Sequence, residues 1–206
     1  MAALNLHQPP HAQTRLRYGV VYRPKFSLSM SGDAYLVREA EHTALISVID
    51  GLGSGSEAFR AASLARERIM ALAEASLTDI FQACHQALHD TRGAVMAVLR
   101  IDFQAGAVTF AGVGNIGIHV QSSAHDIKPI SRNGIVGHRL PRIQEFRYPY
   151  TAGDLFILYS DGISSRFNLG SMPPIRPADD LQAVAEYVAT QFGKDEDDVT
   201  LILARE

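Results

Sequence analysis

Val48-Ile49-Asp50-Gly51-Leu52-Gly53-Ser54-Gly55 decides how this chain is read. An apolar run rich in β-branched residues, 43–50, ends on an acid and enters a glycine-rich turn, which is the signature of a strand and its exit. Beyond the turn the period changes. Ala58, Ala62, Ala65, Ile69 and Leu72 recur at spacings of four and three and give a helix one apolar face. Ser54 and Glu57 have capping-box spacing for its start. Asp50 is therefore expected at a rigid strand end, beside a turn that can bring backbone close to it.

Working outward, residues 18–22 and 34–40 read as two more strands, and residues 1–14, with His7, Pro9, Pro10 and His11, as a loose end. A second helix carries Leu77, Phe81, Cys84 and Leu88. Strands are then expected at 94–102, 107–112, 117–121, 143–150 and 154–160. A third helix has Leu181, Val184, Ala185, Val188 and Phe192 on one face, with Asp179 or Asp180 as its cap, and 199–204 is a last strand. Strands come in runs and helices as a pair and then singly. Strict strand–helix alternation, which marks a doubly wound parallel sheet, is absent, so an α+β sandwich of mostly antiparallel sheets covered by helices is expected.

The 206 residues are 47% hydrophobic, enough for one substantial core, and the length fits a single domain, 1–206, better than two. Net charge is only −3 with no Lys/Arg run, so no nucleic-acid partner is expected. Cys84 stands alone, which excludes an internal disulfide and a cysteine-only zinc site and suits a reducing cytoplasm. The N-terminus has no basic stretch followed by an apolar run, so no signal peptide is expected. No apolar segment reaches the roughly 18 residues that span a bilayer, so no membrane partner is expected either.

Four places put an aspartate at a strand edge: Ser31-Gly32-Asp33-Ala34, the Asp50 stretch, Leu158-Tyr159-Ser160-Asp161-Gly162-Ile163, and Asp197-Asp198-Val199-Thr200-Leu201. Asp is short, so its carboxylate stays where the backbone puts it. Four carboxylates drawn together repel: a like-charged pair about 4 Å apart costs on the order of 4 kcal/mol at an effective dielectric of ~20. Cations relieve this, and oxygen-only ligands favour hard ions such as Mg²⁺ and Mn²⁺. A single Asp-Gly is ordinarily only a turn, and Asp198 reads equally as a turn residue. The pattern taken together is what argues for an ion site. Gly51 and Gly162 are read as allowing tight turns and the approach of a backbone carbonyl to an ion.

In this order the motifs Gly32-Asp33, Asp50-Gly51-Leu52-Gly53-Ser54-Gly55, Ala111-Gly112-Val113-Gly114-Asn115, Ser160-Asp161-Gly162 and Asp197-Asp198-Val199-Thr200 resemble those of the metal-dependent Ser/Thr phosphatases of the protein phosphatase 2C type. The resemblance is strongest to the small bacterial branch of SpoIIE and RsbX, and it covers roughly residues 17–206. It implies a four-layer αββα sandwich. It implies two Mn²⁺ or Mg²⁺ ions bridged by Asp50, with the Gly51 carbonyl on one, Asp161 and Asp197 on the other, and Asp33 bound directly or through water. It assigns catalysis to Asp50 and Asp161 through an ion-activated water, with no side-chain nucleophile. Its implied substrate is a phosphorylated protein of bacterial stress signalling, in the stressosome or sigma-factor circuit.

The departures from the family pattern also have consequences. Leu52 stands where many members have a histidine suspected as general acid. Asn115 and Ser165 stand where some have aspartates supporting a third ion, so two ions are expected and a third is not. Arg17, Arg23 and Lys25 are weak candidates for an arginine-type grip on phosphate.

Other motifs lead elsewhere. Gly112-Val113-Gly114-Asn115-Ile116-Gly117 matches a dinucleotide fingerprint, but Ile116, Ile118 and Val120 alternate as a strand, no helix follows, and residues 135–137 carry no acid. Gly51–Gly55 lacks the Gly-Lys-Ser/Thr of a nucleotide loop. His85 and His89, four apart, read as surface residues. Two other functions fit the same residues: a silent binding module of this fold, and a hydrolase of small phosphoesters. The latter would call for a deep closed pocket, and a protein substrate for an open one.

Overall fold

The computed structural model describes residues 15–26 and 28–206. The loose end expected at 1–14 lies outside them. Nine strands and three α-helices follow in the order β1 (Arg17–Arg23), β2 (Asp33–Glu39), β3 (Thr43–Gly51), α1 (Ser56–Ala71), α2 (Leu77–Ala87), β4 (Ala94–Asp102), β5 (Ala107–Val113), β6 (Gly117–Gln121), β7 (Phe146–Pro149), β8 (Leu155–Tyr159), α3 (Leu181–Phe192) and β9 (Val199–Arg205). One sheet has the order β1-β9-β8-β6 and the other β2-β3-β4-β5-β7. Every pairing between these strands is antiparallel.

Three apolar layers hold the sheets and helices together. Ile46, Val48, Ala97, Leu99, Phe110, Phe156, Leu158 and Ile202 fill the space between the two sheets. Ile49, Met96 and Val98 face the other way, onto Ala62, Ala65 and Ile69 of α1 and Phe81 and Cys84 of α2. On the far side Ile157, Leu201 and Leu203 meet Leu181, Ala185 and Val188 of α3. The result is the expected αββα arrangement. Burying a large aliphatic or aromatic side chain contributes roughly 1.5–3 kcal/mol. Because β3 and β4 are covered on both faces, their sequences are almost continuously apolar. The edge strand β7 tolerates Pro149, which needs no ladder partner on its open side.

The differences from the sequence reading have local causes. The capping box does not form: α1 begins at Ser56 with Gly55 as its cap and no side-chain cap bond. At α2 the cap is Ser76, whose hydroxyl accepts from the Asp79 N–H. Of the two candidates at α3, Asp180 is the cap, accepting from Gln182 N–H, while Asp179 closes the preceding turn on Arg176 N–H. The strand expected at 143–150 shortens to β7 because Glu145 turns away to accept from the N–H and hydroxyl of Thr78. The strand expected from 154 starts one residue later because Asp154 accepts from Thr151 N–H in the turn before β8. No helix among the described residues is long and apolar enough to cross a membrane.

Candidate metal centre

The aspartates meet at one edge of the sandwich because four chain segments bring them there. Asp33 opens β2 and stands opposite Asp50, at the end of β3, in antiparallel register. Asp161 follows β8, and Asp197 and Asp198 precede β9, so these three come from the other sheet. The site therefore straddles the open edge between the sheets, a place neither sheet could build alone.

Two glycines allow this convergence, by a route different from the expected one. Neither Gly51 nor Gly162 has positive φ. What each provides is space: a β-carbon on Gly51 would sit 2.1 Å from the Ala58 carbonyl oxygen of α1, and one on Gly162 would sit 1.9 Å from the Asp198 carbonyl oxygen. Both distances are hard clashes, so α1 and the Asp197–Asp198 turn can approach only bare backbone.

The electrostatics follow from crowding and burial. Asp33 is almost wholly buried. Desolvation pushes its carboxyl up to about 7, with the Ser160 and Thr200 hydroxyls nearby tempering the rise and Asp198 and Asp161 adding to it. Its Oδ2 has no hydrogen-bond partner, nor does the Thr200 hydroxyl. Asp50 is raised to about 8, first by desolvation and then by repulsion from Asp33, Asp161, Asp197 and Asp198. Asp197 is raised by desolvation and Asp161, with the Asp198 N–H and Lys194 pulling the other way.

The remaining contacts sort the acids by task. Asp198 is occupied: its two oxygens accept from Lys25 N–H at 2.9 Å and Gly32 N–H at 2.8 Å, tying the segment before β2 to the start of β9. It is a structural tie and leaves Asp197 as the acid of that turn facing Asp161. Asn115 donates to Asp161 Oδ2 at 2.9 Å from the turn between β5 and β6. That turn passes straight from strand to strand, so the fingerprint-like glycines open no dinucleotide helix. Leu52 places its N–H on the Gly93 carbonyl.

These residues fit hard divalent ions. The donors are all oxygens, one is buried and orphaned, and Asp50 meets four like charges. Among the described residues no three Asp, Glu, His or Cys side chains stand ready to hold an ion by themselves. Any ion held here would need water and backbone oxygens to complete its shell, as Mg²⁺ in particular prefers.

The family model for stage II sporulation protein E, SpoIIE, matches residues 40–206. The chain belongs to the SpoIIE family. Phosphoserine phosphatase RsbX of Bacillus subtilis (strain 168) is 24% identical over 208 residues, covering 98% of each chain. A chain of the bacterial stressosome, described as a modular system adapted to control secondary messenger signalling, is 34% identical with a TM-score of 0.85, covering 92% of this chain and 99% of that one. RsbX in complex with magnesium is 23% identical with a TM-score of 0.80, covering 92% of this chain and 94% of its own, and shares the fold.

Other candidates from the sequence lie away from this SpoIIE-family site. His85 accepts from Gly137 N–H through Nδ1 and so pins the loop after β6 to α2. Arg17 donates to the Pro177 carbonyl, and Arg23 to the Lys194 carbonyl beside its ion pair with Asp195. Cys84 is buried, its thiol pushed up to about 12 by desolvation, and is inert. One cation at the site and one beside the glycine-rich turn escaped sequence reasoning. Lys194 donates its ammonium to the Asp161 carbonyl. Arg92 lies against Gly53, its Nη1 2.5 Å from where a β-carbon would stand. No local signal marks either one, since both are exposed-type residues in turns.

Proposed function

We propose that this chain is a metal-dependent phosphoserine/phosphothreonine protein phosphatase acting on a phosphorylated regulatory protein of bacterial stress signalling, in a stressosome or sigma-factor circuit, in the cytoplasm. The observation that carries it is the cluster of strand-end aspartates on a SpoIIE-family fold, with Asp33 Oδ2 buried and unpartnered and Asp50 raised to about 8 by burial and its acidic neighbours. A scaffold has no physical use for such a cluster, whereas divalent ions make it favourable.

In this reading Asp33, Asp50, the Gly51 carbonyl, Asp161 and Asp197 hold two Mn²⁺ or Mg²⁺ ions. When bound, such ions acidify a water for attack and neutralise phosphoryl charge. The chain's own residues supply the mounting. The β2–β3 register sets the spacing of Asp33 and Asp50. Asn115 orients the Asp161 carboxylate, and Asp198 secures the turn carrying Asp197. No side chain is placed as a nucleophile. Asp161, Asp197 and Asn115 are partly or fully open to solvent. Clefts are found elsewhere, one lined by Arg132 and residues 141–145 and another by Met172, Ile175 and Tyr187. An open site suits a phosphorylated side chain presented by a protein better than a small phosphoester.

The test is hydrolysis of p-nitrophenyl phosphate with Mn²⁺, with and without EDTA, by wild type and Asp50→Ala. Turnover that needs Mn²⁺ and vanishes in the variant is expected. Turnover unaffected by EDTA or by the substitution would overturn the reading.

A further inference from the structure

Lys194 is the only side-chain ammonium in contact with the aspartate cluster among the described residues, and it is held firmly. Its N–H donates to the Gly162 carbonyl at 2.8 Å. Its own carbonyl accepts from Arg23 Nη2 at 3.1 Å. Its Nζ donates to the Asp161 carbonyl at 2.6 Å and lies 4.0 Å from Asp197 Oδ2. The neighbouring Gly193 is bridged to Ile163 and donates to the Ala189 carbonyl, so the backbone that carries the lysine is fixed at both sides. The ammonium thus stands between the two acids contributed by the β8–β9 sheet. Asn115 adds a second donor there, on Asp161 Oδ2. The other side of the site has no charged counterpart: Asp33 Oδ2 is buried without a hydrogen-bond partner, the nearby Ser160 and Thr200 hydroxyls are neutral, and no cation forms a salt bridge with Asp33 or Asp50 among the described residues.

We propose that Lys194 is a positioning residue that acts as a resident counter-cation on the Asp161–Asp197 side, so that the divalent ion on that side is held weakly and exchanges readily while the ion on the Asp33–Asp50 side is held tightly. The proposal rests on the two-ion reading above. The reason is charge. A divalent ion entering beside Asp161 and Asp197 meets an ammonium already bonded to the Asp161 main-chain carbonyl and 4.0 Å from the Asp197 carboxylate, so it binds against a resident positive charge. An ion entering between Asp33 and Asp50 meets no ammonium, only the neutral Ser160 and Thr200 hydroxyls beside Asp33. The lysine also gives the empty site a means to keep Asp161 and Asp197 together.

The experiment is titration of the full chain with Mn²⁺, counting free ion by its electron paramagnetic resonance signal, for wild type, Lys194→Gln and Lys194→Arg. Gln keeps a donor and drops the charge, and Arg keeps the charge. Wild type is expected to show a tight and a weak class. Lys194→Gln should tighten the weak class about fivefold, the size expected for a partly exposed charge pair, and leave the tight class alone, while Lys194→Arg stays near wild type. A parallel melting series controls for folding: in EDTA, Lys194→Gln should melt below wild type, and Mn²⁺ should raise its midpoint by more. An unchanged or weakened weak class in Lys194→Gln overturns the proposal. Wild type that takes up no Mn²⁺ overturns the two-ion reading itself, and does so before any variant is compared.

Discussion

Asp33 and Asp50 share one edge with Asp161 and Asp197, yet the two pairs are built on different principles. The first pair sits on adjacent strands in register, where the strand ladder fixes the backbone that carries both carboxylates and burial strips water above all from Asp33. The second sits on loop ends, partly solvated, with an amide and an ammonium supplied to it. Rigid mounting without compensation stores repulsion that a cation releases. Looser mounting with compensation tolerates the empty state. On the proposed two-ion reading, one half of the site would gain more from an ion than the other.

The largest expected effect tests whether both halves are needed for chemistry. Asp50→Ala and Asp161→Ala should each lower turnover at least about a thousandfold, roughly 4 kcal/mol of barrier, while circular dichroism stays native. If both variants unfold instead, the aspartates are structural and the comparison loses its meaning.

Next in size is the backbone contact that holds the Asp161–Asp197 half together. Gly162→Ala forces a β-carbon into the Asp198 carbonyl at 1.9 Å. Overpacking of this kind costs about 1–3 kcal/mol, and a domain of this size loses roughly 2–4 °C of melting midpoint for each of them. A midpoint within a degree of wild type would show that the turn carrying Asp197 is not pinned as described.

The stored repulsion has its own signature in pH. Free in the unfolded chain, Asp50 ionises near 3.8, whereas in the folded metal-free protein it does so only near 8. Between these values the unfolded chain binds fewer protons at this position, so stability falls as pH rises from about 4 to about 8, and below about 4, where both states are protonated, the penalty is absent. Asn mimics the protonated acid. In EDTA, Asp50→Asn should therefore melt above wild type by a margin that grows from pH 4 to pH 8. Asp197→Asn, on the compensated half, should give a smaller margin. Equal margins would erase the distinction between the pairs.

The smallest effect concerns orientation alone. Asn115→Ala removes one hydrogen bond to Asp161, worth about 0.5–1.5 kcal/mol, and should lower Mn²⁺-dependent turnover by roughly two- to tenfold, with a melting midpoint in EDTA lowered by at most a few degrees. A loss as large as that of Asp161→Ala would make Asn115 a ligand in its own right.

Much of this was legible in advance because periodicity reports burial. The run 43–50 and the Ala58–Leu72 spacing predicted β3 and α1 because one is covered on both faces and the other on one. Boundaries failed where a side chain found a better partner, as Glu145 did on Thr78 and Asp154 on Thr151. Ser54 failed as a cap because α1 starts after Gly55, leaving its hydroxyl out of position. At the site, Asp33, Asp50, Asp161 and Asp197 could be named because each ends an apolar strand. Asp198 could not be told from Asp197, since only the tie to Lys25 and Gly32 separates them.

The sequence by itself determined the element types, the antiparallel sandwich, the family and the acids worth watching, because hydrophobic period, turn glycines and strand-end aspartates are all local features. Tertiary structure decided the rest: that two sheets would bring those acids to one shared edge, that Gly51 and Gly162 leave room for α1 and the Asp197–Asp198 turn, and that Lys194 would stand beside Asp161 and Asp197. These depend on distances between residues far apart in the chain, and such distances exist only once the layers have packed.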